Sequence, residues 1–156
     1  MQTILLVIGK TKDDALNKFI LDYKKRINKY QKFEIKTISD IKNKGKINSS
    51  LLKQKESKKI ICNLMEKDYL ILLDEKGKQM NTKEFSIFIQ KRRIESHKRI
   101  IFLIGGIYGV SENIKTRANE IIALSKMTFT HQMIRLIFVE QLFRINKIIN
   151  NESYHH

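Results

Sequence analysis

The chain alternates short aliphatic runs with longer stretches in which apolar residues recur every three or four positions. The runs predict strands near 3–8, 33–38, 69–73, 99–104 and 121–124, several of them apolar at successive positions, as in a sheet covered on both faces. Between them, 13–29 places Leu16, Phe19, Ile20, Tyr23 and Ile27 at helical spacing, with Asp13 and Asp14 suited to the positive end of a helix. Further helices are predicted over 49–65, from Asn81 or Thr82 through Glu95, over 111–119 and over 131–150. This alternation predicts an α/β fold, a largely parallel sheet flanked by helices. The lysine-rich segment 39–48 has weak periodicity and reads as a loop, either one that touches RNA phosphate or an ordinary solvated connection.

The last helix departs from the others. Met133, Ile134, Ile137, Phe138, Leu142, Ile145, Ile148 and Ile149 form one apolar stripe, and Leu136, Val139 and Phe143 add a second. A surface helix needs one such face. The surplus predicts a helix that is central to the domain or half of a dimer contact, and we expect the dimer.

Length and composition narrow the class. At 156 residues the chain is expected to form one domain, 1–156. The lone Cys62 is expected to be a small buried hydrophobe in a reducing compartment. No Cys/His group has metal-ligand spacing, so no metal is expected. The aliphatic runs are far shorter than the roughly twenty residues of a membrane span, and residues 1–8 lack the basic and small-residue flanks of a signal peptide. A cytoplasmic protein with no membrane association is expected. The net charge of +15 points to a polyanionic partner, although a coding bias that gives 24 Lys against 7 Arg, and no proline, supplies some of it. The excess is +9 over residues 1–68 and +6 over 69–156, so no basic tail stands apart.

Candidate chemistry gathers in the last third. Three of the six glycines fall in Gly105-Gly106-Ile107-Tyr108-Gly109, directly after a strand-like run. Such a loop suits a sharp turn and exposes backbone amides where open α/β sheets place ligands; the plainer reading is a turn alone. The spacing is not the dinucleotide fingerprint, and no G-x-x-x-x-G-K-[ST] phosphate loop occurs, which argues against a nucleotide-binding metabolic enzyme. Gly77, beyond the third strand, is expected to sit in a second loop walling the same pocket. Ser125, Lys126, Met127, Thr128, Phe129, Thr130 and His131 lead into the last helix. His131 is either a capping-region polar residue or a functional group at a ligand-facing turn, where a neutral imidazole can accept a proton. Arg135, one turn on, is placed to hold a phosphate or carboxylate, or else only solvates the helix. Tyr154 and His155 close the chain as a frayed tail or as groups that stack on a base.

Taken together, Leu103-Ile104-Gly105-Gly106-x-x-Gly109, Leu124-Ser125-Lys126-Met127-Thr128-Phe129-x-His131-Gln132-x-x-Arg135, Glu140-Gln141-Leu142-x-Arg144 and the final Tyr154-His155 closely resemble one family over the full length. It is the SPOUT-class methyltransferase, the large-subunit methyltransferase H family, that modifies N3 of a pseudouridine in 23S ribosomal RNA. The resemblance implies a C-terminal deep trefoil knot, with knot and cofactor site in about 70–156, and a homodimer acting on assembled ribosomes. S-adenosyl-L-methionine would lie against Leu73, Gly105, Gly106, Leu124, Ser125, Lys126, Met127, Thr128 and Phe129. His131, Arg135, Tyr154 and His155 would be the catalytic group, with Tyr154 and His155 reaching the other subunit's pocket. Many relatives carry proline where this chain has Thr130, and some carry an acid where it has Tyr108. A ribosome-binding assembly factor that keeps the fold without the reaction is the alternative; the intact glycine and 125–131 loops favour the enzyme.

Overall fold

A computed structural model of the chain describes residues 1–42, 44–95 and 97–153. Five strands, β1 (Gln2–Ile8), β2 (Phe33–Ile38), β3 (Tyr69–Gln79), β4 (Arg99–Ile104) and β5 (Glu120–Ala123), form one parallel sheet in the order β2-β1-β4-β3-β5. The α/β class expected from the hydrophobic pattern is the one observed. Alternate side chains along each strand point to opposite faces. Leu5, Val7, Ile71, Phe102 and Ile104 pack beneath α1 (Asp14–Ile27), α3 (Thr82–Ile94) and α5 (Met133–Ile149). Ile4, Leu6, Leu70, Leu72, Ile101 and Leu103 face the opposite way, beneath α2 (Ser49–Ile61) and α4 (Glu112–Arg117). Both faces are covered, which explains why the central strands tolerate no polar alternation.

The helix starts follow from side-chain caps. Asp13 accepts from Leu16 N, Asn48 from Leu51 N, and Asn81 from Glu84 N while Glu84 returns a bond to Asn81 N. Segment 39–48 holds a 3₁₀ turn at Lys44–Lys46 that delivers the chain to the Asn48 cap.

The expectations for the end of β3, for Gly77 and for Cys62 are corrected, and the structure shows what covers α5. Strand β3 runs on to Gln79, six residues past the expected end, because its pairing with β5 slips: Leu73 and Lys78 both face Ile122, and residues 74–77 arch out of the ladder between them. Gly77 is therefore inside the strand and does not wall the pocket. A Cβ there would lie 2.6 Å from Ile122 N, so the close backbone approach at the slip demands glycine. Cys62 is exposed, because α2 stops at Ile61 and position 62 falls on the face opposite its buried Leu52, Glu56, Ser57 and Ile60. The second stripe of α5 is largely used within the chain: α5 lies between α1 and α3, Val139 is fully buried, and Leu136 and Phe143 pack against the same core, Phe143 5.8 Å from the ring of Tyr23. Of the two readings, the central helix accounts for that stripe.

Candidate functional site

The loops that leave the carboxyl ends of β3, β4 and β5 enclose a cavity of about 410 Å³, within the range of small-molecule sites. Leu73, Ile104, Leu124 and Ile134 give it an apolar interior at the strand ends. The β4 loop contributes Gly105, Gly106, Ile107 and Gly109, closed by a Gly109 N–H to Gly106 carbonyl bond of 3.0 Å. Gly109 takes a φ of +75°, which needs no strain only for glycine. Gly105 and Gly106 are glycine for a different reason: Cβ atoms there would meet Val110 at 2.8 Å and the Glu56 carboxylate at 2.5 Å. Val110 and the Gly109 backbone crowd any side chain at Gly105, whereas at Gly106 the Glu56 carboxylate would have to move aside. Glu56, buried on α2, thus seats that helix against the rear of the loop, and the neighbouring Ser57 hydroxyl bonds the Ser111 hydroxyl beyond it.

The β5–α5 loop supplies Ser125, Met127, Phe129, Thr130 and His131. Ser125 Oγ accepts from Met127 N at 2.9 Å and folds the loop over itself. Thr130 accepts from Met133 N through its hydroxyl (3.1 Å) and from Ile134 N through its carbonyl (3.0 Å). These bonds satisfy two of the free N–H groups in the first turn of α5. The arch of β3 brings Asp74 and Glu75 to the cavity, two carboxylates that favour a cationic ligand. Sequence reasoning expected the segment after residue 73 to wall the pocket but looked to Gly77 and gave these two carboxylates no role.

Of the residues expected around a cofactor, the structure brings Leu73, Gly105, Gly106, Leu124, Ser125, Met127 and Phe129 together. Lys126 and Thr128 are exposed and do not line the cavity. His131 lines it. Tyr154 and His155 lie outside the described residues.

Arg135 is not at the cavity. It is 2 % exposed, and its guanidinium donates from Nη2 to Ile8 O (2.7 Å), from Nη1 to Gly9 O (2.9 Å) and Thr11 Oγ1 (3.1 Å), and from Nε to His131 O (3.0 Å). Burial pulls its pKa down and the Asp40 charge opposes this. The planar fork of guanidinium donors suits this set of backbone acceptors, as an ammonium would not. Gln132 adds a bond from Lys12 N to its Oε1 at 2.9 Å. Arg135 therefore fastens the end of β1 to the turn that carries His131. Sequence held no signal for acceptors more than 120 residues away.

Comparison with known proteins follows this geometry. A family model described as "Predicted SPOUT methyltransferase" matches residues 1–155. Proteins named ribosomal RNA large subunit methyltransferase H are similar over nearly their whole length. That of Parabacteroides distasonis is 47% identical over 156 residues, covering 100% of this chain and 99% of the relative. That of Christiangramia forsetii is 46% identical over 152 residues, covering 97% of each. That of Flavobacterium johnsoniae is 46% identical over 156 residues, covering 100% and 99%. With its family match spanning all but the last residue, its parallel sheet and its cavity at the strand ends, the chain belongs to the SPOUT methyltransferase family, whose fold is the α/β knot.

Proposed function

We propose that this methyltransferase uses S-adenosyl-L-methionine to methylate N3 of a pseudouridine in 23S ribosomal RNA on assembled ribosomes, as a cytoplasmic homodimer without a metal. The observation that carries the reading is the strand-end cavity, which pairs apolar walls and bare glycine backbone with the carboxylates of Asp74 and Glu75. That donor set suits the cofactor: the walls accept its adenine, the loop amides its polar edges, and the two carboxylates its positive charges. The names of the full-length relatives and the +15 charge support the ribosomal substrate.

When bound, the cofactor supplies a sulfonium-activated methyl group. The chain's own residues then have two tasks. Leu73, Ile104, Leu124, Phe129 and Ile134 exclude water and hold the reactants in line. His131, held at the cavity by the Arg135 clamp, takes the N3 proton or holds the base edge of a flipped-out nucleotide.

The dimer is supported by the cavity rim, where Ile107 (52%), Tyr108 (53%), Met127 (75%), Phe129 (43%) and Met133 (39%) expose a run of large apolar side chains. In this reading each complete site needs both chains, with Tyr154 and His155 serving the partner's cavity.

Isothermal titration with S-adenosyl-L-methionine, with light scattering on the same sample, tests the reading. Saturable binding by a dimer is expected. A folded dimer that does not bind would move the protein to the assembly factors, and a folded monomer would remove the shared site.

A further inference from the structure

The basic side chains of this protein are unequally engaged. On the face covered by α1, α3 and α5 many of them are tied down: Arg26 to Asp22, Arg92 to Glu95 and over the Tyr69 ring, Arg93 to Gln31 and Asn146. Helix α2, on the opposite face, carries Lys53, Lys55, Lys58 and Lys59, and its one acid, Glu56, is buried at 5% exposure. Lys59 is held by Ser39 through two bonds of 2.9 Å. Lys53 is half-buried, and its charge adds to that of Lys115 in pulling the Glu112 carboxyl of α4 down. Lys55 and Lys58 are exposed and in no ion pair among the described residues, and Lys46 in the preceding turn is exposed beside them in sequence. At Lys55 and Lys58 the outward surface of α2 therefore presents positive charge with no acid of its own helix.

Position adds to charge. Through Glu56 and Ser57, α2 rests on the loop that carries Gly106 to Ser111, so this lysine surface is joined to one wall of the cavity. We propose that the outward face of α2, at Lys55 and Lys58, together with Lys46 in the turn before it, docks the phosphate backbone of the ribosomal RNA that flanks the target nucleotide. The proposal rests on the reading that the substrate is ribosomal RNA. Lysines on a fixed helix contact phosphates without reading sequence, and so set register while the cavity selects the base. Every such contact releases counterions, which makes its contribution salt-dependent.

The test compares the α2 variant, Lys46→Gln/Lys55→Gln/Lys58→Gln, with Lys18→Gln/Lys25→Gln/Lys29→Gln, an equal charge loss on exposed positions of α1 and the turn after it. Binding to intact ribosomes is measured across a salt series, together with methyl transfer and cofactor titration. The α2 variant is expected to raise KM for ribosomes about tenfold or more and to reduce the salt slope by about one for each lysine removed. Its kcat and cofactor affinity stay at the parental values. Lys46→Arg/Lys55→Arg/Lys58→Arg restores binding, and the α1 variant shifts KM less than about twofold. Equal shifts in the α1 and α2 variants would overturn the proposal in favour of net charge alone, and no shift in the α2 variant would overturn it outright. A parental protein that neither binds nor methylates ribosomes would instead refute the substrate reading on which the proposal rests.

Discussion

Replacing Arg135 by lysine separates a clamp from a ligand contact. The guanidinium satisfies the carbonyls of Ile8, Gly9 and His131 at 2.7, 2.9 and 3.0 Å, and it is 2 % exposed, so water cannot replace it. A lysine ammonium at the end of a straight stem reaches one of these acceptors, two at most, and cannot copy the fork. Each buried carbonyl left without a donor costs about 1–3 kcal/mol, so one or two orphans cost about 2–4 kcal/mol. Against a total stability of about 5–15 kcal/mol this is a large fraction. With a urea m-value of about 2 kcal/mol/M, the midpoint falls by about 1–2 M. Below that midpoint the folded variant should bind S-adenosyl-L-methionine as the parent does, since Arg135 does not border the cavity, while methyl transfer slows because the His131 turn has lost its anchor. A midpoint within about 0.3 M of the parent, or lost cofactor binding at unchanged stability, would refute the clamp.

Other expectations are quicker to check. His131→Ala should still bind cofactor as a dimer and lose methylation; unchanged turnover would remove the imidazole from the mechanism. Gly77→Ala places a Cβ 2.6 Å from the backbone nitrogen of Ile122 and should cost more than about 2 kcal/mol by thermal unfolding, as a close contact with backbone relaxes poorly. Gly45→Ala, with open space around it, should change stability by less than about 1 kcal/mol. The Tyr69 phenol, pushed above its usual range chiefly by burial, keeps its proton longer in the folded than in the unfolded chain. Its contribution to stability is therefore complete below pH about 10 and declines as pH rises through the higher folded value. Ultraviolet titration should show late tyrosine absorbance that Tyr69→Phe reduces without abolishing, because Tyr30 is raised as well by its bond to Glu152, and an unchanged titration curve in that variant would contradict this.

The strands and helices were legible because two independent signals agreed: aliphatic runs such as 100–104 have no polar face, and Asp13, Asn48 and Asn81 stand where the helix starts need an acceptor. Boundaries set by pairing rather than composition were not. Nothing in Asp74-Glu75-Lys76-Gly77-Lys78-Gln79 reads as a strand, and it pairs only because β5 offers an edge after the slip at Leu73. The same slip puts Asp74 and Glu75 at the cavity, out of sight of any local pattern. The glycines and His131 were visible as a cluster, since loops at strand ends converge whatever their sequence separation. Arg135 belonged to that cluster in sequence and not in space: its position on the helix could be read, but its acceptors on β1 could not. The doubled stripe of α5 likewise looked the same whether a second chain or two helices of its own chain would cover it.

The most direct test of the whole account is methyl transfer itself: the purified protein, S-adenosyl-L-methionine carrying a labelled methyl group, and ribosomes from a strain lacking this activity, with the labelled rRNA mapped by nuclease digestion and mass spectrometry. The account predicts label on one pseudouridine of 23S RNA, at N3, in assembled ribosomes. Cofactor-bound protein that leaves all rRNA unlabelled, or label on another nucleotide, would contradict it.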